Sequence, residues 1–174
     1  SKGLINGGFG FSGDNQSNQR NGNAFFVSVE QPLKFWQSLI RFEGSKASEN
    51  FFNPFGSTVT PGATRAALSF ESQPFNKTAF KINLIEEINK TINVDNNRLT
   101  AGINWAQTIN EKIRLNFGYD LRRFSDDKNE KTVISNLVTI GAEYKPTDKI
   151  DLSVKREQNL GEADPSYPSQ TIFT

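Results

Sequence analysis

Within 112–124 the residues Ile113, Leu115, Phe117, Tyr119 and Leu121 alternate with Lys112, Arg114, Asn116, Gly118, Asp120 and Arg122. Successive side chains of a β-strand point to opposite faces, so a period of two places the apolar set on one face and the charges on the other. A helix, at 3.6 residues per turn, would mix the two sets. The preceding segment repeats the pattern, with Leu99, Ala101, Ile103 and Trp105 against Thr100, Gly102, Asn104 and Ala106. Two such strands joined by a short turn make a hairpin.

The same alternation recurs along the chain. It appears as Phe25, Val27 and Val29 against Ser28 and Glu30, as Ile40 and Phe42 against Arg41 and Glu43, and as Ala66, Leu68 and Phe70 against Ser69 and Glu71. It continues with Phe80, Ile82 and Leu84, then Val138, Ile140, Ala142 and Tyr144, then Ile150, Leu152 and Val154. A weaker strand is expected at the glycine-rich stretch 4–11 and another from Thr171. The total is about ten strands, several near the ~9–11 residues that a tilted membrane strand requires.

Connection length alternates as well. Short turns are expected at 31–34, 73–76, 109–111 and 145–148, where Pro and Asx residues supply turn geometry. Longer polar connections are expected at 13–21, 44–64, 89–96, 125–129 and 158–169. Tight turns on one sheet edge and loops on the other are the asymmetry of outer-membrane barrels. These features predict an all-β chain: an antiparallel up-and-down meander forming a transmembrane β-barrel or a segment of one. The competing reading is a soluble β-sandwich, a binding module for glycan or protein, whose half-buried sheets would also alternate.

Composition removes other classes. The 174 residues contain no Cys, His or Met, which excludes disulfides, thiolate or imidazole metal sites and a Ser-His catalytic pair. No enzyme, cofactor or metal site is expected. Lys and Arg total 20 against 19 Asp and Glu, so no net field draws the chain to nucleic acid. A mean hydropathy of −0.56 would suggest a soluble chain, but barrel strands average lipid-facing with water-facing residues and so read as polar. The Asp126-Asp127 and Asp95-Asn96-Asn97 runs lack the rest of a calcium loop, and turn chemistry is their commoner meaning. The phenylalanines Phe51, Phe52 and Phe55 stand in a long connection, which points either to a functional loop or to one packed on its neighbours.

On the barrel reading, one face carries Glu30, Arg41, Glu43, Glu71, Lys81 and Arg114, followed by Asp120, Arg122, Glu143, Asp151 and Lys155. Such a face must meet water or be paired. It either lines a hydrated lumen that tunes permeation or closes into cross-strand salt bridges that fill the barrel. The other face should meet membrane lipid, bounded by interfacial aromatic girdles. Phe35, Trp36, Phe75, Trp105 and Tyr144 are expected beside the short turns, with Tyr119 and Phe124 toward the opposite end.

The run Phe52-Asn53-Pro54, then Val59-Thr60-Pro61-Gly62-Ala63-Thr64-Arg65, then hairpins such as Leu99 to Tyr119, resembles the barrel portion of large bacterial surface proteins that join extracellular repeat modules to an outer-membrane barrel. The resemblance covers residues 50–160. It implies an anchor or a porin-like transport channel in the bacterial outer membrane, with no catalytic residues to carry over. Barrels of this class commonly end on a terminal aromatic, whereas this chain runs to Thr174 after Phe173. The expectation is therefore a single barrel domain or segment over residues 1–174, cut short at both ends. Its edges near 4–11 and 171–174 should pair with further strands or with a subunit of a larger assembly, because an open sheet would leave backbone groups unsatisfied in hydrocarbon.

Overall fold

The computed structural model of the protein describes residues 2–12, 22–51, 60–147, 149–161 and 169–174. Ten strands run in chain order: β1 (Leu4–Ser12), β2 (Gly22–Leu33), β3 (Ser38–Ala47), β4 (Ala63–Ser72), β5 (Thr78–Lys90), β6 (Asp95–Asn110), β7 (Ile113–Asp126), β8 (Lys131–Thr147), β9 (Ile150–Gly161) and β10 (Gln170–Phe173). They form one sheet in which each strand pairs only with its chain neighbours, always antiparallel. β1 and β10 are the two edges, and they are not paired with each other.

The expected meander is present, and the alternative sandwich is not. A sandwich packs two sheets face to face over a shared core, whereas all ten strands here belong to a single sheet. Among the described residues, buried apolar side chains amount to Ala24, Ala47, Phe51, Ala63 and Leu137. Phe117, Ile140 and Leu152 stay about half exposed. The strands also exceed the usual ~5–6 residues: β6 has 16 and β8 has 17.

The register fixes the faces. One row of directly opposed residues reads Ile5, Val29, Phe42, Leu68, Leu84, Ala101, Leu121, Asn136 and Leu160, crossing nine strands with one polar member. The next row on the other face reads Glu30, Arg41, Ser69, Asn83, Gly102, Asp120, Leu137 and Asn159. Opposed residues in an antiparallel ladder share a face, so two rows one residue apart define the two surfaces.

The connections at one edge are 34–37, 73–77, 111–112 and 148–149, and at the other 13–21, 48–62, 91–94, 127–130 and 162–169. Two of the expected long loops are shorter than the polarity of their sequence implied. Asn89 and Asn96 pair within the β5–β6 ladder, where Asn89 Nδ2 donates to Asn96 Oδ1 (2.9 Å). Likewise Ser125 pairs with Thr132 in the β7–β8 ladder. Polar residues thus extend these strands, and only four-residue turns remain. Asp126 organises the second turn by accepting from the backbone N–H groups of Lys128 and Asn129 and from Asn129 Nδ2. Residues 13–21, 52–59, 148 and 162–168 lie outside the described residues, so the expectations placed on Phe52 and Phe55 are not addressed.

The β2–β3 turn explains its own aromatic. Trp36 and Gln37 have φ of 50° and 47°, and Ser38 N–H closes the turn onto the Phe35 carbonyl. Both residues thus sit in the left-handed region, inside a four-residue connection that follows the Leu33–Ser38 pair. Neither Trp nor Gln is favoured there, since left-handed backbone costs a non-glycine residue roughly 1–2 kcal/mol. Replacing Gln37 with Gly should therefore raise stability by about 1 kcal/mol, read as a shift in the urea midpoint of the folded protein in detergent.

Candidate functional site

The face that carries Glu30 and Asp120 is concave and borders a half-open cavity of about 860 Å³ lined by residues from β3 to β9, among them Glu71, Lys81, Arg114, Asp120, Arg122, Glu143 and Lys155. Each of the eleven charges assigned to one face by alternation falls on this face. Glu30 opposes Arg41, Glu71 opposes Lys81, and Arg114 opposes Glu143. Asp120 and Arg122 share β7, while Asp151 and Lys155 fall at alternate positions of β9 with Ser153, which opposes Glu143. Glu43 opposes Ala67, whose row neighbour is Ile85.

Most of these charges are engaged. Arg41 Nε donates to Glu30 Oε1 (2.6 Å), Lys81 Nζ to Glu71 Oε1 (2.8 Å), Arg122 Nη2 to Asp120 Oδ2 (3.3 Å) and Lys145 Nζ to Asp151 Oδ2 (2.8 Å). Arg65 reaches Glu43 at 3.4 Å, and Lys155 reaches Glu157 at 2.5 Å. Glu143 accepts from Asn116 Nδ2 (2.8 Å). Arg122 and Asp120 are both shielded, at 18% and 21% side-chain exposure, and Glu157 is at 15% beside an open Lys155. The rest are open to water and should be worth ~0–1 kcal/mol each. What they do is cancel charge locally, leaving a polar wall with no block of either sign.

Alternation had singled out only some members of this network. Arg65, Lys145 and Glu157 are the partners it omitted, although each has the parity of a charge already chosen on its strand or across the ladder. Arg98 and Glu87 also belong here: they oppose each other, Glu87 opposes Arg65, and the Arg98 guanidinium lies 5.4 Å from the Phe124 ring centroid.

That contact corrects one assignment. Phe124 shares the face of Arg122 and opposes Arg98 and Val133, so it belongs to the charged wall and not to an outer girdle. Its place near the strand end was right, but its parity puts it inside. Tyr119 is on the outer face but is the seventh residue of the fourteen in β7, hence mid-strand, and its hydroxyl donates to Asn136 Oδ1 (2.8 Å). Of the five aromatics expected beside the short turns, Phe35, Trp36, Phe75 and Tyr144 lie at that edge. Phe35 stacks on Phe70 with centroids 6.3 Å apart and meets Trp36 edge-on at 5.7 Å. Tyr144 lies on the outer face near the end of β8, and Phe75 is exposed in the β4–β5 turn, whereas Trp105 is the eleventh of the sixteen residues in β6 and opposes Phe117, hence inside the strand and not beside the turn.

Two features were invisible in the alternation. Phe51 packs with Ala24 and Ala47, residues that oppose each other on the concave face, so the start of the β3–β4 connection turns inward over that wall. Inward glycines form the second feature. A Cβ on Gly102 would collide with the Asp120 carboxylate and the Asn83 amide, and one on Gly118 would meet Asn104 Oδ1 at 2.8 Å. Polar side chains lie flat across these glycines, which keeps the wall smooth and the cavity open. Gly102→Val should lower stability by about 1–3 kcal/mol, measured by urea unfolding, because Asp120 and Asn83 must both move from their places.

No family model matches this chain, and no curated protein matches it. Among solved structures it is similar to OmpTΔL8, a loop L8 deletion mutant of OmpT, an outer membrane protein of Vibrio cholerae. The two are 15% identical with a TM-score of 0.62, and the match covers 94% of this chain and 55% of that one. The chain thus spans about half the length of the protein it matches. The likeness shows the fold: a run of antiparallel strands arranged as in an outer-membrane β-barrel. It supports the barrel class of the resemblance drawn from the sequence and says nothing of extracellular repeat modules.

Proposed function

We propose that this chain forms part of the wall of a bacterial outer-membrane β-barrel, with its apolar face against lipid and its charged face lining a water-filled passage for small polar solutes. The observation that carries this reading is the separation of faces across the whole sheet, with the row from Ile5 to Leu160 on one surface and the row from Glu30 to Asn159 on the other. An outer row of large apolar side chains left uncovered is unfavourable in water and natural in hydrocarbon. The aromatic cluster of Phe35, Trp36 and Phe70 at the short-turn edge suits the bilayer interface.

On this reading the edges β1 and β10 are continued by further strands, from the same polypeptide or a neighbouring subunit. Only a closed ladder satisfies every backbone N–H and C=O in hydrocarbon, and a solved relative in fold is almost twice as long. A pore role is favoured over a simple anchor because the inner wall is polar and its side chains lie across inward glycines instead of filling the cavity.

The membrane reading is tested by detergent dependence: the purified chain should aggregate in plain buffer, and a monodisperse soluble species would overturn the proposal. Within the sheet, Phe117→Arg on the outer face should cost ~2–4 kcal/mol, and Asn116→Arg one residue away should be nearly neutral. Equal costs in unfolding from lipid vesicles would refute the assignment of faces. If the passage conducts, its locally cancelled charges predict weak ion selectivity, seen as a small reversal potential across a planar bilayer under a KCl gradient. Lys81→Glu should move that potential toward cation preference.

A further inference from the structure

The outer face carries scattered polar residues on both halves of the sheet, among them Lys46, Glu86, Asn97 and Arg123 on β3 to β7, and a cluster of them interrupts the apolar rows where β8, β9 and β10 meet. One outer row reads Phe80, Trp105, Phe117, Ile140 and then Arg156 and Thr171. The next ends in Tyr119, Val138 and Gln158, and the one beyond contains Asn136. Arg156 is the seventh residue of the twelve in β9, between Val154 and Leu160 on the same face and directly opposite Ile140. It does not snorkel to the strand tip. Its Nη1 donates to Thr171 Oγ1 (3.0 Å), at its own level on β10, and its Nη2 to Gln158 Oε1 (2.6 Å). Gln158 in turn donates from Nε2 to Ser169 Oγ (3.0 Å). Both acceptors of this guanidinium are neutral, and it is exposed.

A cation held at mid-strand on neutral acceptors is a poor surface for hydrocarbon and a good one for a carboxylate presented from outside. The outer face of this same chain offers one. Glu86 is the ninth residue of β5, on the outer surface between Leu84 and Ile88 and opposite Leu99, where it accepts from Asn97 Nδ2 (3.3 Å). Leu99 separates it from the outward Arg123 in its row. Glu86 and Arg156 thus stand within two residues of the same distance from the short-turn edge, on strands four apart, with opposite charge.

We propose that the patch of Asn136, Arg156, Gln158 and Thr171, set among the apolar outer residues of β8–β10, is a subunit contact, and that its occupant is a second copy of this chain presenting Glu86 and Asn97. The contact is heterologous, since a β9 surface meets a β5 surface, so it assembles copies in a ring if the rotation closes. This inference rests on the reading of the outer face as membrane-embedded.

The test uses the full chain in detergent and in lipid vesicles. Because the chain has no cysteine, R156C and E86C introduce single reactive sites. Mixing the two variants under oxidation should yield a disulfide-linked dimer, and R156C alone should not. Arg156→Glu should abolish the oligomer in light scattering, and Arg156→Glu combined with Glu86→Arg should restore it while far-UV dichroism stays that of the parent. A membrane-embedded chain that is monomeric, or one whose oligomer survives Arg156→Glu, overturns the subunit contact and leaves the membrane reading intact. So does Arg156→Glu changing only the retention of lipopolysaccharide, which would assign the patch to anionic lipid. A chain soluble without detergent fails the membrane reading itself.

Discussion

The ladder of the sheet couples the face of every side chain to that of its neighbours. Opposed residues share a surface, so once β6 and β7 are registered with Gly102 against Asp120, the faces of β5 and β8 follow from their own pairings. A slip of one residue at any hairpin would carry a row of leucines into the cavity and a row of charges outward. The alternation of the sequence and the tight β6–β7 and β8–β9 turns resist that slip together. Where register does shift, between Thr108 and Asn110 and between Tyr144 and Thr147, the irregularity is confined to the turn edge and leaves the rows above it intact.

Given that coupling, the charged face becomes less costly than its composition suggests. Acid and base stand across from one another or one step along, so pairs such as Arg41–Glu30 and Lys81–Glu71 form without large side-chain excursions. Each pair is exposed enough to add little stability. Their collective effect is a wall that is polar yet locally neutral. Inward glycines complement this, since Asp120 can lie across Gly102 and Asn104 across Gly118 only where no Cβ intervenes.

The fold was largely legible because period-two alternation survives in single strands, and every strand from β1 to β10 was foreseeable in place. Two kinds of feature were not. Strand ends were misread where polarity was taken to mean a loop: Asn89, Asn96 and Ser125 are polar, but their partners across the ladder are polar too, so pairing continues. Partnership depends on register, which no single strand reveals. Phe124 is the opposite case, since its parity with Arg122 was available and was overridden by the expectation that an aromatic near a strand end belongs to a girdle. Its actual partner, Arg98, offers a cation to the ring face.

The inward turn of Phe51 depends on three-dimensional neighbours of a kind that alternation does not encode. Its ring needs small residues beneath it, and Ala24 and Ala47 provide them by opposing each other on the concave face. Either residue alone reads as an unremarkable strand alanine. Outward Arg156 follows the same logic in reverse: its parity was readable from Val154, but only Ile140 across the ladder and Thr171 on the next strand reveal a cation set within an apolar row. Residues that obey the alternation thus describe the wall, and residues that break it, such as Phe124 against Arg98 and Arg156 against Thr171, are explained only by their partners across the ladder.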